Sequence, residues 1–319
     1  MSPEESQQIV FVGTVFFSNL GALIFSCGLF GVYILAFTIG IHIVLQKEKN
    51  GRAHQALIAL LLAGFLMIVL YSCEGISVNM FLVKFGLVVS LPGGLPTQEM
   101  SASSKTIVVE ILQEWGANFI VLMADAAIVW RAWALWVDNR LIKWTLLIIL
   151  LLDISVTIAD AIAGTQVLLN SSAEINTVTL DWLSVVLNLA VNIVATLLIA
   201  YRAWTHHQSM HALSRTKKTQ VENILLLFVE SGAIFALVQI FSIVIQALDI
   251  HAAVLSSTDI TRSFINALYI YGAAINPVAL VVLVQTGNTY DHSFHLNDFP
   301  SLEINPASIT IQGAHDPST

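Results

Sequence analysis

The chain has 319 residues, of which 56% are hydrophobic and 11% charged, with a net charge of −8. A soluble domain carries roughly 25% charged residues to wet its surface, so this deficit points to a surface that faces lipid. Thirteen Lys and Arg against twenty-one Asp and Glu is the wrong balance for a nucleic-acid binder, and that class is excluded.

The first residues, Met1 to Gln8, hold Glu4 and Glu5 and no Lys or Arg. A cleaved signal peptide needs a positive start, so the first span is expected to insert uncleaved. Apolar runs near the roughly 20 residues needed to cross hydrocarbon predict spans at 19–45, 55–75, 115–136, 144–167, 178–201, 223–247 and 260–284. The predicted organisation is an extracellular N-terminus at 1–18, an all-α seven-span bundle at 19–284 and a cytosolic disordered tail at 285–319. The apolar run Ile9–Phe17 either lengthens the first helix outward or lies along the interface. Between spans two and three, Phe81–Leu91 is too short to cross and ends at Pro92-Gly93-Gly94-Leu95-Pro96, a strong turn signal. The stretch 76–114 is therefore predicted to be an extracellular loop with an interfacial segment. Cys27 and Cys73 both fall in apolar runs and are expected to be buried, reduced thiols.

Positive charge sets the orientation. Lys47, Lys49, Arg52, Arg131, Arg140, Lys143, Arg202, Arg215, Lys217 and Lys218 fall on one side of the predicted spans, and only Lys84, Lys105 and Arg262 on the other. The first side is assigned to the cytosol, which leaves the N-terminus outside and the C-terminus inside a multi-pass protein, with the plasma membrane the expected location. The sequon Asn170-Ser171-Ser172 falls in a loop assigned outside, making Asn170 the candidate glycosylation position. Trp115, Trp133, Trp136, Trp144, Trp182 and Trp204 fall at predicted interfaces, the depth that amphipathic rings prefer.

Enzymatic chemistry finds no foothold. The seventh span has no lysine for a retinal Schiff base, and the histidines fall in loops, tails or span ends rather than converging on a metal. His207 and His211 share a helix face but lack an obvious third ligand. No nucleophile elbow or P-loop is present, so no catalytic residue, metal or cofactor is expected.

Polar residues inside the spans remain: Asp125, Asp153, Asp160, Asn188, Asn192, Glu230, Gln239, Asn266 and Asn276. An ionisable group at the bilayer centre costs about 2.5–3.5 kcal/mol on insertion scales, so these are expected to face the bundle interior. Counting about 1.5 Å per residue from the cytosolic ends puts Asp125, Asp153, Asn192, Glu230 and Asn276 at one level, about 12–17 Å deep. Two carboxylates at one level cannot both stay charged without a cation. The layer, beside the helix-breaking Pro277, reads either as a switch centred on Asp125 and Glu230 with Asn276 bonded to them, or as a static clamp. At the cytosolic mouth lie Arg131, Arg202 and Glu222. Arg131 is expected to pair with Glu222 or with lipid phosphate.

Topology and the Asn276-Pro277 pair give a likeness to G-protein-coupled receptors. Val129-Trp130-Arg131-Ala132-Trp133 after Asp125, Tyr201-Arg202-Ala203-Trp204, and Val229-Glu230-Ser231-Gly232 more closely resemble a large group of seven-span proteins of mushroom-forming fungi. That resemblance implies a receptor-like membrane protein. The chain departs from rhodopsin-type receptors at Trp130 and Ala132 around Arg131, and at Leu280 where their seventh-span motif ends in Tyr. It also lacks cysteines for their outer disulfide. The expected function is sensing a small extracellular ligand near Glu74, Trp115, Asn118, Asn266 and Tyr269, with a cytosolic G protein as a candidate partner besides the bilayer. A small-solute transporter or channel, or a non-signalling scaffold, stays open as the alternative.

Overall fold

The computed structural model describes residues 3–46, 52–89, 94–136, 139–169, 174–212, 220–250, 252–253 and 255–297. Seven α-helices follow one another, with no strand among the described residues: α1 (Pro3–Leu45), α2 (Arg52–Val83), α3 (Gly94–Leu135), α4 (Arg140–Leu169), α5 (Glu174–Ala212), α6 (Gln220–Asp249) and α7 (Ser257–Asn297). Six of them, α1 to α6, are long and apolar enough to cross a membrane, an architecture compatible with a multi-pass membrane protein. The apolar stretch of α7 runs past Leu280 into residues whose side chains lie outside the described set.

Sequence neighbours pack as spatial neighbours from α1 round to α7, and α7 returns to α1, closing the ring. Helix α3 touches α2, α4, α5 and α7 and forms the middle of the bundle. The interior is apolar, with Tyr33, Ile68, Ile128, Leu146, Ile199 and Tyr271 almost wholly buried. Phe37 and Phe65 stack with ring centroids 4.4 Å apart and join α1 to α2. Gly40 lets α1 approach α7, because an added Cβ would lie 3.2 Å from Val278.

Local chemistry explains several helix ends. Asn139 caps α4, its Oδ1 accepting from the backbone N–H groups of Leu141 (3.1 Å) and Ile142 (3.4 Å). At α7, Ser256 Oγ accepts from the N–H of Asp259 (3.2 Å), while Asp259 Oδ2 accepts from the N–H of Leu255 (2.9 Å). The two bonds resemble a capping box, except that the Asp reaches the N–H of the residue before the Ser256 cap.

Three sequence expectations are corrected. The stretch 76–114 is not a loop: α2 continues to Val83 and through a π-helical turn at Lys84–Val88, and α3 begins at Gly94. Pro92 and Gly93 lie outside the described residues, and Pro96 falls in the first turn of α3, where a missing N–H costs nothing. The π turn holds Gly86 against α1, where an added Cβ would meet Phe16 at 3.1 Å. The run before residue 19 lengthens α1, the first of its two expected outcomes and no correction. The tail does not begin at 285, because α7 continues to Asn297, just ahead of Pro300. Cys27 and Cys73 are free, but both are exposed rather than buried.

Candidate functional site

At the end of the bundle where α1 begins and α2 gives way to α3, a cavity of about 610 Å³ opens between helices. That volume is typical of small-molecule sites. Its walls come from α2, α3, α4, α5 and α7. On α3, Glu110, Gln113, Glu114, Ala117, Asn118 and Val121 form a continuous stripe at three- and four-residue spacing, so one helix face supplies a whole wall. Asp160 on α4, Asp181 on α5 and Arg262 on α7 complete a lining in which four carboxylates meet one guanidinium. Arg262 already donates to Asp249 at 2.9 Å. Asp181 accepts a short hydrogen bond from Gln246 Nε2. A second chamber of about 320 Å³ shares Asp181, Arg262, Asn266 and Tyr269 with the first.

Gly164 fixes how α3 meets α4 at the rim. A Cβ there would land on the carboxylate of Glu114, which rests in the space the glycine leaves. Trp115, one residue on, turns outward and donates from Nε1 to Thr165 Oγ1 at 3.0 Å.

The floor of the cavity is Asn188 and Tyr269, both almost fully buried. Asn188 Nδ2 donates to Tyr269 Oη at 3.3 Å, and Asn188 Oδ1 has no partner. Tyr269 lies within electrostatic reach of Asp125 and Asp153. Those two face each other from α3 and α4 with no solvent exposure, and none of their carboxylate oxygens is hydrogen-bonded. Asn192, one turn below Asn188, ties α5 to α6. Its Nδ2 donates to Gln239 Oε1 at 2.9 Å and to the Gly232 carbonyl at 3.3 Å. Gly232 permits this approach, since a Cβ there would collide with Thr196.

Below this group lies a separate clamp. Arg131 is buried and donates from Nη2 to the main-chain oxygen of Asn276 (3.0 Å) and to its Oδ1 (3.4 Å), with the guanidinium 5.1 Å from the Phe228 ring centre. These bonds seize α7 at the residue before Pro277, which is itself buried. Arg202 behaves differently: it is exposed and lies 5.5 Å over the Trp136 ring, which stacks on Tyr201.

The expected single layer is thus corrected to two groups. Asp125, Asp153 and Asn192 belong to the upper one, joined by Asn188, Gln239 and Tyr269. Asn276 belongs to the lower one and bonds Arg131, not the carboxylates. Glu230 belongs to neither, because its side chain is exposed on the outer face of α6. Arg131 turns into the bundle rather than toward the mouth, and the side chain of Glu222 lies outside the described residues. Of the expected pocket residues, Asn118, Asn266 and Tyr269 line the cavity, whereas Glu74 and Trp115 do not. Asn170 falls outside the described residues. The acidic wall at Glu110 and Glu114 is absent from the sequence expectations because those residues fell in the supposed loop. Their spacing of four was the available signal. Among the described residues, no three His, Cys, Asp or Glu side chains converge to hold a metal ion.

Compared with protein-family models, curated proteins and solved structures, the chain matches none.

Proposed function

We propose that the chain is a seven-span, receptor-like membrane protein of the kind its sequence motifs resemble, with α7 as the seventh span. On this reading it senses a small extracellular ligand and signals to the cytosol. The observation that supports this most is the stacking of three polar features along one axis. The open cavity lies at one end. Its floor residue Tyr269 borders the enclosed Asp125–Asp153 pair. Seven residues along α7, about 10 Å, the Arg131–Asn276 clamp grips the helix beside Pro277. A ligand that shifts Tyr269 has a direct mechanical route through α7 to the clamp, and a helix already weakened by proline is a suitable two-state element. The charge asymmetry orients the cavity outward.

The test uses the full chain in nanodiscs with Cys27→Ser and Cys73→Ser and a fluorophore on Ser214→Cys. A small molecule that occupies the cavity should change the fluorescence from the cytosolic loop, and a Gα subunit should be recovered by pull-down in a ligand-dependent manner. Solute flux through reconstituted liposomes, without any response at residue 214, would instead identify a transporter.

A further inference from the structure

Glu230 is the one member of the predicted polar layer that the bundle leaves outside. It stands ten residues, about 15 Å, past the start of α6 at Gln220. Its level lies between Phe228, against which Arg131 packs, and Gly232, whose carbonyl Asn192 holds. Leu226 and Leu227 one turn before it, and Ala233 and Ile234 one turn after it, are all exposed, so Glu230 occupies the middle of the outward face. Nothing among the described residues bonds its carboxyl group. Hydrocarbon offers no donor at that depth, and an ionisable group placed there is costly unless it finds a partner.

The face around it has the form of a helix-pairing seam. Glu230, Ala233, Leu237, Ile240 and Val244 follow one another at spacings of three, four, three and four, and all five are exposed. This is the heptad pattern by which two parallel helices interlock. Ala233 is small, which lets a second backbone approach beside the carboxyl group. Contact with lipid accounts for the leucine, the isoleucine and the valine. It does not account for an acid at the centre of the face.

Whatever covers this seam has to bring a hydrogen-bonding group to the same depth on a lipid-facing helix. A second copy of this chain does so by symmetry. Two copies inserted in one orientation can be related by a twofold axis only along the membrane normal, and a residue beside that axis meets its own counterpart at its own level. A carboxyl group that carries a proton both donates and accepts, so two such groups complete each other across the axis. We propose that the chain associates as a parallel twofold dimer through the outer face of α6, with the two Glu230 side chains paired at the axis. The pair requires α6 to lie in a bilayer, and it requires neither a ligand nor a cytosolic signal.

The test uses the full chain with Cys27→Ser and Cys73→Ser in phosphatidylcholine liposomes, with donor and acceptor dyes on separate copies at Ser214→Cys. Energy transfer should exceed that of random encounters and fall along a monomer–dimer curve as lipid is added. Glu230→Leu, which suits a lipid-facing position and so keeps the fold of the single copy, should weaken association about tenfold. Glu230→Gln, which keeps a donor and an acceptor, should retain it. In the same cysteine-free background without the dyes, Leu237→Cys should form a disulfide-linked dimer on mild oxidation, whereas Ile158→Cys on the exposed face of α4 should not. Energy transfer no greater than random for the otherwise unsubstituted chain overturns the dimer without needing any Glu230 variant to fold. Undiminished association of Glu230→Leu, or cross-linking at Ile158→Cys in place of Leu237→Cys, overturns the assigned face. Association without any response to ligand at position 214 keeps the pair and removes the receptor. A ligand response from copies that stay single does the reverse.

Discussion

Replacing Asn192 with Leu removes the bonds to Gln239 and to the Gly232 carbonyl and leaves Gln239 buried without its donor. The expected loss is about 1–3 kcal/mol, read as an earlier midpoint in detergent unfolding. Gly232→Ala should act on the same seam, by driving a methyl into Thr196, and Thr196→Ala should recover part of the loss. Arg131→Ala should cost more than Asn276→Ala, because the stronger acceptor is the main-chain oxygen that the second substitution keeps. Equal losses would show that the side-chain contact carries the clamp. Asp125→Asn should fold and melt later than the parent, since an amide opposite Asp153 replaces a facing carboxylate with a donor. Glu230→Gln, on the outer face of α6, should not lower the unfolding midpoint, since an amide costs less than a carboxylate on a face turned to hydrocarbon. The interior places of Asp125, Asp153 and Asn192 were legible from the expense of putting such groups in hydrocarbon. That of Glu230 was not. The buried positions of α6 run Leu225, Phe228, Gly232, Phe235, Gln239, and Glu230 stands well off this stripe. Because α6 is apolar nearly all round, hydrophobicity gives no phase by which to tell which face turns inward.

At the scale of the helix, the expected spans mark where hydrocarbon fits, and the helices overrun them. The backbone has no reason to stop at the edge of an apolar run; it stops at a proline, a cap or a glycine turn. Residues 94–114 are polar enough to resemble a loop by composition, yet they hold no internal breaker after Pro96 and continue α3. Ser104→Pro discriminates between the two. In a helix interior it should cost about 3 kcal/mol and expose the chain nearby to protease, whereas in a loop it would pass unnoticed. The cavity depends on this extension, since Glu110, Gln113 and Glu114 all belong to it. The site was illegible in the sequence for the same reason as the helix: a stretch read as a connection has no face for its residues to share.

For the molecule as a whole, the charge asymmetry predicts that a thiol at Ser214→Cys, in the background lacking Cys27 and Cys73, reacts with an impermeant reagent only after the membrane is opened, and that one at Ser171→Cys reacts in intact cells. Reversal of both would turn the bundle over and place the acidic cavity in the cytosol. The closed ring of helices also has a bearing on how the protein is made. Helix α1 packs against α2 and α7, so it finds one neighbour soon after synthesis and the other only once α7 has followed. During that interval the face holding Gly40 has no α7 to cover it. Closure of the ring therefore has to wait for α7, and a nascent chain halted at Asp249 should be a preferred substrate for membrane quality control while a chain that includes α7 escapes it.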